Sequence, residues 1–360
     1  MSALNPDMLV LARESRGYTQ TDLANRMDVS PGYVSKVEKG FVAPSDGFLT
    51  SLVEALAYPR SFLTQEARVV GFDSPCLYHR KRKTLPVKTL RRVEAQMHVT
   101  RLQLRCLLAD LDLETPFSMH TLDPDEFGSP EKVAQALRRA WAIGPGPVPD
   151  LTRVVEAAGG VIAMADFGHG KLDGLSCWEK DGPPFFYLNS RQPPEVLRFT
   201  LAHELGHLTM HYFPTPDPEA EADRFAAEFL MPAAEIRGQL QGLQFAKLGP
   251  LKSYWRVSMR NLITRAAKLG TVSESRSRSL YVQLSQKGYV NDEPYPLTLE
   301  EPTLIGQAIR VHMEEHGYSR AELAELVLLR EDELVAKFGD KLPSGVIRQL
   351  RAVQVDRQRA

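Results

Sequence analysis

The sequence predicts a multidomain, mainly α protein: an all-α N-terminal module, an α+β domain and a helical C-terminal region. Three observations predict it. Apolar residues recur at helical spacing along nearly the whole chain, and the exceptions are short apolar runs between residues 161 and 188 that suit strands. At about 100–200 residues per domain, 360 residues require two or three domains. Hydrophobic residues at 43% and charged residues at 25% permit real cores and exclude a predominantly disordered chain.

Taken in order, residues 1–65 hold four apolar groups: Leu4, Met8, Leu11 and Ala12; Leu23, Ala24 and Met27; Val34 and Val37; Leu49, Leu52, Val53 and Leu56. Gly17, Pro31, Gly40 and Pro44 separate them, so four compact helices are expected. Residues 86–113 have the spacing of one long helix, and Pro116, Pro124, Gly128 and Pro130 then mark a linker. Two helices are expected between 131 and 158, strands at 161–165, 174–178 and 185–188, a helix over 193–212 and another from Pro218. The remainder is helical, broken at Glu293-Pro294-Tyr295-Pro296. The expected divisions are 1–65, a basic connector over 66–128, the α+β domain over 129–245 and a helical region over 246–360. Within that last region, Gly317-Tyr318-Ser319-Arg320-Ala321-Glu322-Leu323-Ala324 repeats Gly17-Tyr18-Thr19-Gln20-Thr21-Asp22-Leu23-Ala24 at an offset of 300. The segment after the repeat, Arg330-Glu331-Asp332-Glu333, is acidic and would repel phosphates, so it is assigned to packing or partner contact.

Lys+Arg 44 against Asp+Glu 45 leaves a charge of −1, which excludes a global attraction to nucleic acid or an anionic membrane. Between His79 and Arg105, however, nine basic residues face one acid, Glu94. No run of 18 apolar residues occurs, and the N-terminus lacks the order of a secretory signal, so a cytoplasmic protein with no membrane partner is expected. Cys76, Cys106 and Cys177 form no C-x-x-C pair and are expected to be ordinary reduced thiols.

Thr19-Gln20-Thr21-Asp22-Leu23-Ala24 followed by Ser30-Pro31-Gly32-Tyr33-Val34-Ser35-Lys36-Val37-Glu38-Lys39-Gly40 resembles the Xre/λ-repressor-like helix-turn-helix family over roughly the first 60 residues. The resemblance implies double-stranded DNA as a partner. Ser30 suits the cap of the third helix and Pro31 its first position, which turns Gly32, Tyr33, Ser35 and Lys36 toward a major groove. Gln20 can meet a phosphate, and Arg80, Lys81, Arg82 and Lys83 would add backbone affinity. A two-fold symmetric site would imply a homodimer.

His203-Glu204-Leu205-Gly206-His207 is an H-E-x-x-H motif, which chance would supply roughly 0.02 times in a chain of this composition. On a helix the two histidines share a face and can hold one Zn2+, with Glu204 beside them as proton acceptor for a water. A third ligand is needed. Pro218-Glu219-Ala220-Glu221-Ala222-Asp223 opens the next helix, where Glu219 can bind metal while Asp223 accepts a hydrogen bond from a ligand histidine; Glu221 is the alternative ligand, though on a helix it points elsewhere. His211 continues the same row and is expected to be an ordinary helix-end residue. Tyr187, Tyr212 and His211 are each candidates for stabilising an oxyanion, with nothing to choose among them.

Arg198-Phe199-Thr200-Leu201-Ala202 leading into the motif, with the run from Glu219 to Pro232, resembles the ImmA/IrrE family of zinc metallopeptidases over about residues 131–237. The resemblance implies a zincin-like α+β fold, ligands at His203, His207 and Glu219, and Glu204 as the catalytic acid/base. It further implies a protein substrate, a repressor or antitoxin-like protein whose cleavage turns on stress, prophage or mobile-element genes. A DNA-binding regulator whose zinc domain is a sensor or scaffold is the rival reading, and an antitoxin-like interaction protein a third. Glu204 favours an enzyme, since a scaffold needs ligands but no proton acceptor.

Overall fold

The computed structural model describes residues 3–66, 77–78, 85–113, 115–179, 182–212, 215–290 and 292–343. Arg80, Lys81, Arg82, Lys83 and Cys76 lie outside the described residues. Helices α1 (Pro6–Ser15), α2 (Gln20–Arg26), α3 (Pro31–Glu38), α4 (Asp46–Leu56) and the short α5 (Arg60–Leu63) form the N-terminal module. Each of the first four begins at a side-chain cap, Asn5, Thr19, Ser30 or Ser45, worth about 1 kcal/mol apiece. The fifth helix was not expected.

Strand β1 (Leu77–Tyr78) precedes the long α6 (Val87–Leu108). The helix stops five residues short of the expected 113, because Asp110 and Asp112 are poor helix formers and place negative charge at the negative end of the dipole. Next come α7 (Pro124–Phe127), α8 (Pro130–Ala140), α9 (Leu151–Ala157), β2 (Val161–Ala165), β3 (Gly174–Cys177), β4 (Phe185–Asn189), α10 (Pro194–Met210) and α11 (Pro218–Leu230). The C-terminal part adds α12 (Ala233–Leu240), α13 (Phe245–Trp255), α14 (Met259–Lys268), α15 (Glu274–Gln286), α16 (Leu304–Arg310) with a π-helical turn at Val311–Glu315, α17 (Arg320–Leu326) and α18 (Glu331–Phe338). No helix among the described residues is long and apolar enough to cross a membrane.

The sheet has the order β1-β3-β4-β2, with β2 and β4 parallel and the other pairings antiparallel. Strands β3 and β4 are buried throughout, so both faces are covered. Alternation along each strand sorts the side chains. Ile162, Phe186 and Leu188 join a core with α8, α10, α11 and α13 to α15. Val161, Ala163, Leu175, Cys177, Phe185 and Tyr187 join a second core with α6, α16, α17 and α18. A third core fills the N-terminal module and is completed by Ala95, Val99 and Leu102 of α6 and by Leu328.

The repeat in the sequence is also a repeat in structure. Helices α2 and α17 run over residues 20–26 and 320–326, and α3 and α18 over 31–38 and 331–338. Both second helices start in a capping box, Thr19 with Asp22 and Ser319 with Glu322. Positive φ recurs at Gly17 and Gly317 and again at Asp28 and Leu328. The second copy touches the N-terminal module beside the first: Glu333 of α18 pairs with Arg16 at the end of α1 at 3.2 Å, and Arg330 with Glu54 of α4 at 3.4 Å.

Candidate metal centre

Helix α10 is buried nearly all round, and its start is pinned by charge. Glu195 in its first turn receives the Lys252 ammonium at 2.5 Å, and Glu293 takes the same ammonium at 3.0 Å. Four-residue spacing puts His203 and His207 on one face with their Nε2 atoms 3.0 Å apart. Helix α11 starts with Asp217 accepting from the Ala220 N–H at 3.2 Å and Pro218 at its first position, which presents Glu219 in the first turn. Gly206 lets the two helices close, since a Cβ there would lie 2.9 Å from the Phe225 ring.

Glu219 therefore faces both histidines, Oε2 at 3.6 Å from His203 Nε2 and Oε1 at 3.5 Å from His207 Nε2. His203, His207 and Glu219 are the group that could hold a metal ion among the described residues. Asp223, one turn along from Glu219, lies 2.9 Å from His203 Nδ1. Burial pushes the Glu219 carboxyl up, but its bonds to the two histidines hold it well below the usual carboxylate range. For His203 burial works downward, and the bonds to Asp223 and Glu219 overcome it, raising the ring to about 9.

Glu204 is 1% exposed, and Ser176 Oγ donates to its Oε2 at 2.6 Å. Burial pushes its carboxyl up to about 7 against the pull of His203 and Ser176. Ser176 reaches it because strand parity turns residue 176 toward α10 while its neighbours 175 and 177 face α6. A cleft lined by Leu172, Asp173, Gly174, Phe199, Thr200, His203 and Glu204 opens beside this pair.

Three expectations need revising. Tyr187 packs in the α6 core against Phe167, on the opposite face of the sheet from Glu204. His211 is no ordinary helix end: it is 2% exposed, its Nδ1 lies 2.9 Å from His207 Nδ1, and its Nε2 lies 3.1 Å from Glu221 Oε2. Glu221 thus also addresses this centre rather than pointing elsewhere. Ser176, His211 and Glu221 are the site neighbours that sequence reasoning missed or misplaced. The only signal was the continuing four-residue row of 203, 207 and 211.

In the N-terminal module, Ser30 caps α3 by accepting from the Tyr33 N–H at 3.2 Å. Gly32 and Lys36 are exposed and Ser35 is half-buried, while the Tyr33 ring meets Phe48 edge-on with centroids 5.0 Å apart. Gln20 donates to Glu38 at 2.6 Å, and Arg13 Nε to the same carboxylate at 2.6 Å, so Gln20 braces α2 on α3.

Two family comparisons agree with this geometry. The helix-turn-helix family matches residues 9–63, and the IrrE N-terminal-like domain of peptidase family M78 matches residues 155–266. No curated protein matches the chain. A helix-turn-helix domain, which points to DNA binding, is thus joined to a domain of zincin-like metallopeptidase type. The chain is an N-terminal helix-turn-helix fused to an IrrE-type M78 domain.

Proposed function

We propose that the protein is a DNA-tethered zinc endopeptidase that works in the cytoplasm and cleaves a repressor or antitoxin-like protein, so controlling stress, prophage or mobile-element genes. Its parts are the DNA reader over 1–65, the basic connector over 66–128, the peptidase domain over 129–245 and the helical region over 246–360. The observation that carries the reading is the convergence of His203, His207 and Glu219 beside a buried Glu204.

The donor set suits zinc. Tetrahedral Zn2+ with bonds of about 2.05 Å separates its ligand atoms by roughly 3.3 Å; here the two histidine Nε2 atoms are 3.0 Å apart, and each lies 3.5 or 3.6 Å from a different oxygen of the Glu219 carboxylate. Two imidazoles and one carboxylate leave a fourth position for water or substrate. When bound, the zinc supplies Lewis acidity that makes water a better nucleophile and a peptide carbonyl a better electrophile. Glu204, oriented by Ser176, accepts the proton of the attacking water at a carboxylate oxygen and returns it to the leaving amine. Asp223 fixes the tautomer of His203. The cleft beside Glu204 gives an extended peptide its approach.

Glu219→Ala should lose the metal while Glu221→Ala keeps about one zinc per chain, as read by elemental analysis after zinc repletion and desalting. The reverse result moves the ligand by two positions, and no zinc in the unaltered protein ends the metallopeptidase reading.

DNA readout is assigned to α3, with Gly32, Tyr33, Ser35 and Lys36 on the reading face, Gln20 at a phosphate, and Arg80, Lys81, Arg82 and Lys83 adding backbone affinity. Changing Lys36 with Ser35 to alanine in the full-length protein should erase preference among duplex sequences. Neutralising the four basic residues at 80–83 should weaken all duplexes and flatten the salt dependence. Binding selection followed by anisotropy titrations at several salt concentrations checks both. If the unaltered protein enriches no motif, the module serves protein contact.

A further inference from the structure

The ring nitrogen of a histidine that turns away from a metal decides which tautomer faces it, and hence how good a ligand it is. For His203 that outer nitrogen meets Asp223 directly. For His207 it meets another histidine: Nδ1 lies 2.9 Å from His211 Nδ1, and the far nitrogen of His211, Nε2, lies 3.1 Å from Glu221 Oε2. A neutral imidazole carries one N–H and one lone pair, and a carboxylate only accepts. Glu221 therefore fixes the hydrogen of His211 on Nε2, and His211 Nδ1 becomes an acceptor. The hydrogen of His207 is then on Nδ1, and His207 Nε2 turns a bare lone pair toward Glu219 at 3.5 Å. With both rings neutral, this assignment gives each bond of the chain one donor and one acceptor, set from its carboxylate end.

We propose that His211 and Glu221 are positioning residues that orient His207 for the metal, a second arm matching Asp223 on His203. This rests on the reading of His203, His207 and Glu219 as ligands. One helix then serves the centre three times. Glu219 and Asp223 share a face of α11, and Glu221, two positions from each, reaches the end of α10 instead, where His211 bridges the remaining distance. His211 is buried with the two histidines, at 2% exposure, so water does not compete for its nitrogens.

The test is metal affinity, measured by competition between the full-length protein and a chelator for Zn2+, with the visible absorption of the Co2+-substituted protein as a second readout. His211→Leu puts an apolar side chain of roughly similar bulk in its place and removes both nitrogens. It should weaken Zn2+ binding about 10–100-fold, the cost typical of losing a partner of a ligand histidine, and shift the Co2+ bands. His211→Asn should restore most of the affinity, because its amide oxygen can stand where Nδ1 stood. Glu221→Ala should bind stoichiometric zinc with an affinity below that of the unaltered protein. Equal losses in His211→Leu and His211→Asn would mean packing alone matters and would overturn the proposal, as would an unchanged affinity and spectrum in His211→Leu. Should His211→Leu fail to fold, Glu221→Ala and His211→Asn decide by the same two readouts. His207→Ala separates the two claims: if it retains full affinity the ligand reading fails, and if it alone loses metal only the positioning role fails.

Discussion

Glu204→Gln is expected to lower peptide-bond cleavage about 10²–10⁴-fold, the contribution of a positioned proton-transfer group, without loss of zinc. The substitution keeps the shape of the side chain, and an amide oxygen can still accept from Ser176 Oγ, which lies 2.6 Å from the carboxylate. What disappears is the ability to take a proton from water and deliver it to the leaving amine. Cleavage of a mixed peptide library read by mass spectrometry, metal content and transcript levels of the controlled genes are the measurements. Transcription should fail together with cleavage. If Glu204→Gln leaves gene induction intact while His203→Ala abolishes it, the metal serves sensing or structure and the protein is a regulator rather than a peptidase.

Lys252→Met should destabilise the protein by about 3–5 kcal/mol, the cost of leaving buried charge uncompensated. The Lys252 side chain is 0% exposed, and the carboxylates of Glu195 and Glu293 on either side of it are each 7% exposed. Without the ammonium, two like charges would share a dry site. Glu293 also accepts the Met259 N–H at 2.9 Å, so α13, α14 and the start of α10 would loosen together. Urea unfolding followed through tryptophan fluorescence measures it, with Trp255 fully buried on the same helix. Combining Lys252→Met with Glu195→Gln and Glu293→Gln should recover most of the loss, since the three changes together remove every charge from the site. A loss below about 1 kcal/mol in the single variant would show that the acids find other partners or take up protons at little cost.

The parts of this molecule governed by local rules could be read from the chain. H-E-x-x-H needs only helical spacing, and Glu219 needs only the first turn of the next helix. The offset repeat was legible because capping boxes are written in three or four consecutive residues. Strand positions were close for the same reason, as short apolar runs between turn residues have few alternatives. What could not be read depended on partners distant in sequence. The bond between Gln20 and Glu38 exists because α2 packs on α3. Tyr187 and Ser176 are both strand residues near the motif in the fold, and only the sheet's orientation decides which of them faces Glu204. Glu221 looked misdirected on an ideal helix, and it is the place where α10 ends that brings His211 within its reach.

Helix α6 is a party wall. On one side Val93, Met97, Leu104 and Leu107 belong to the sheet's core, and on the other Ala95, Val99 and Leu102 finish the interior of the N-terminal module, with Leu328 arriving from the far end of the chain. A fragment cut after residue 65 would keep every residue of its helix-turn-helix and lose part of its roof, baring apolar surface where α1 packs on α6. The N-terminal module is therefore not a bead on a string that can be clipped off or transplanted unchanged. Any grafting of this module onto another protein would have to carry the wall along with the room.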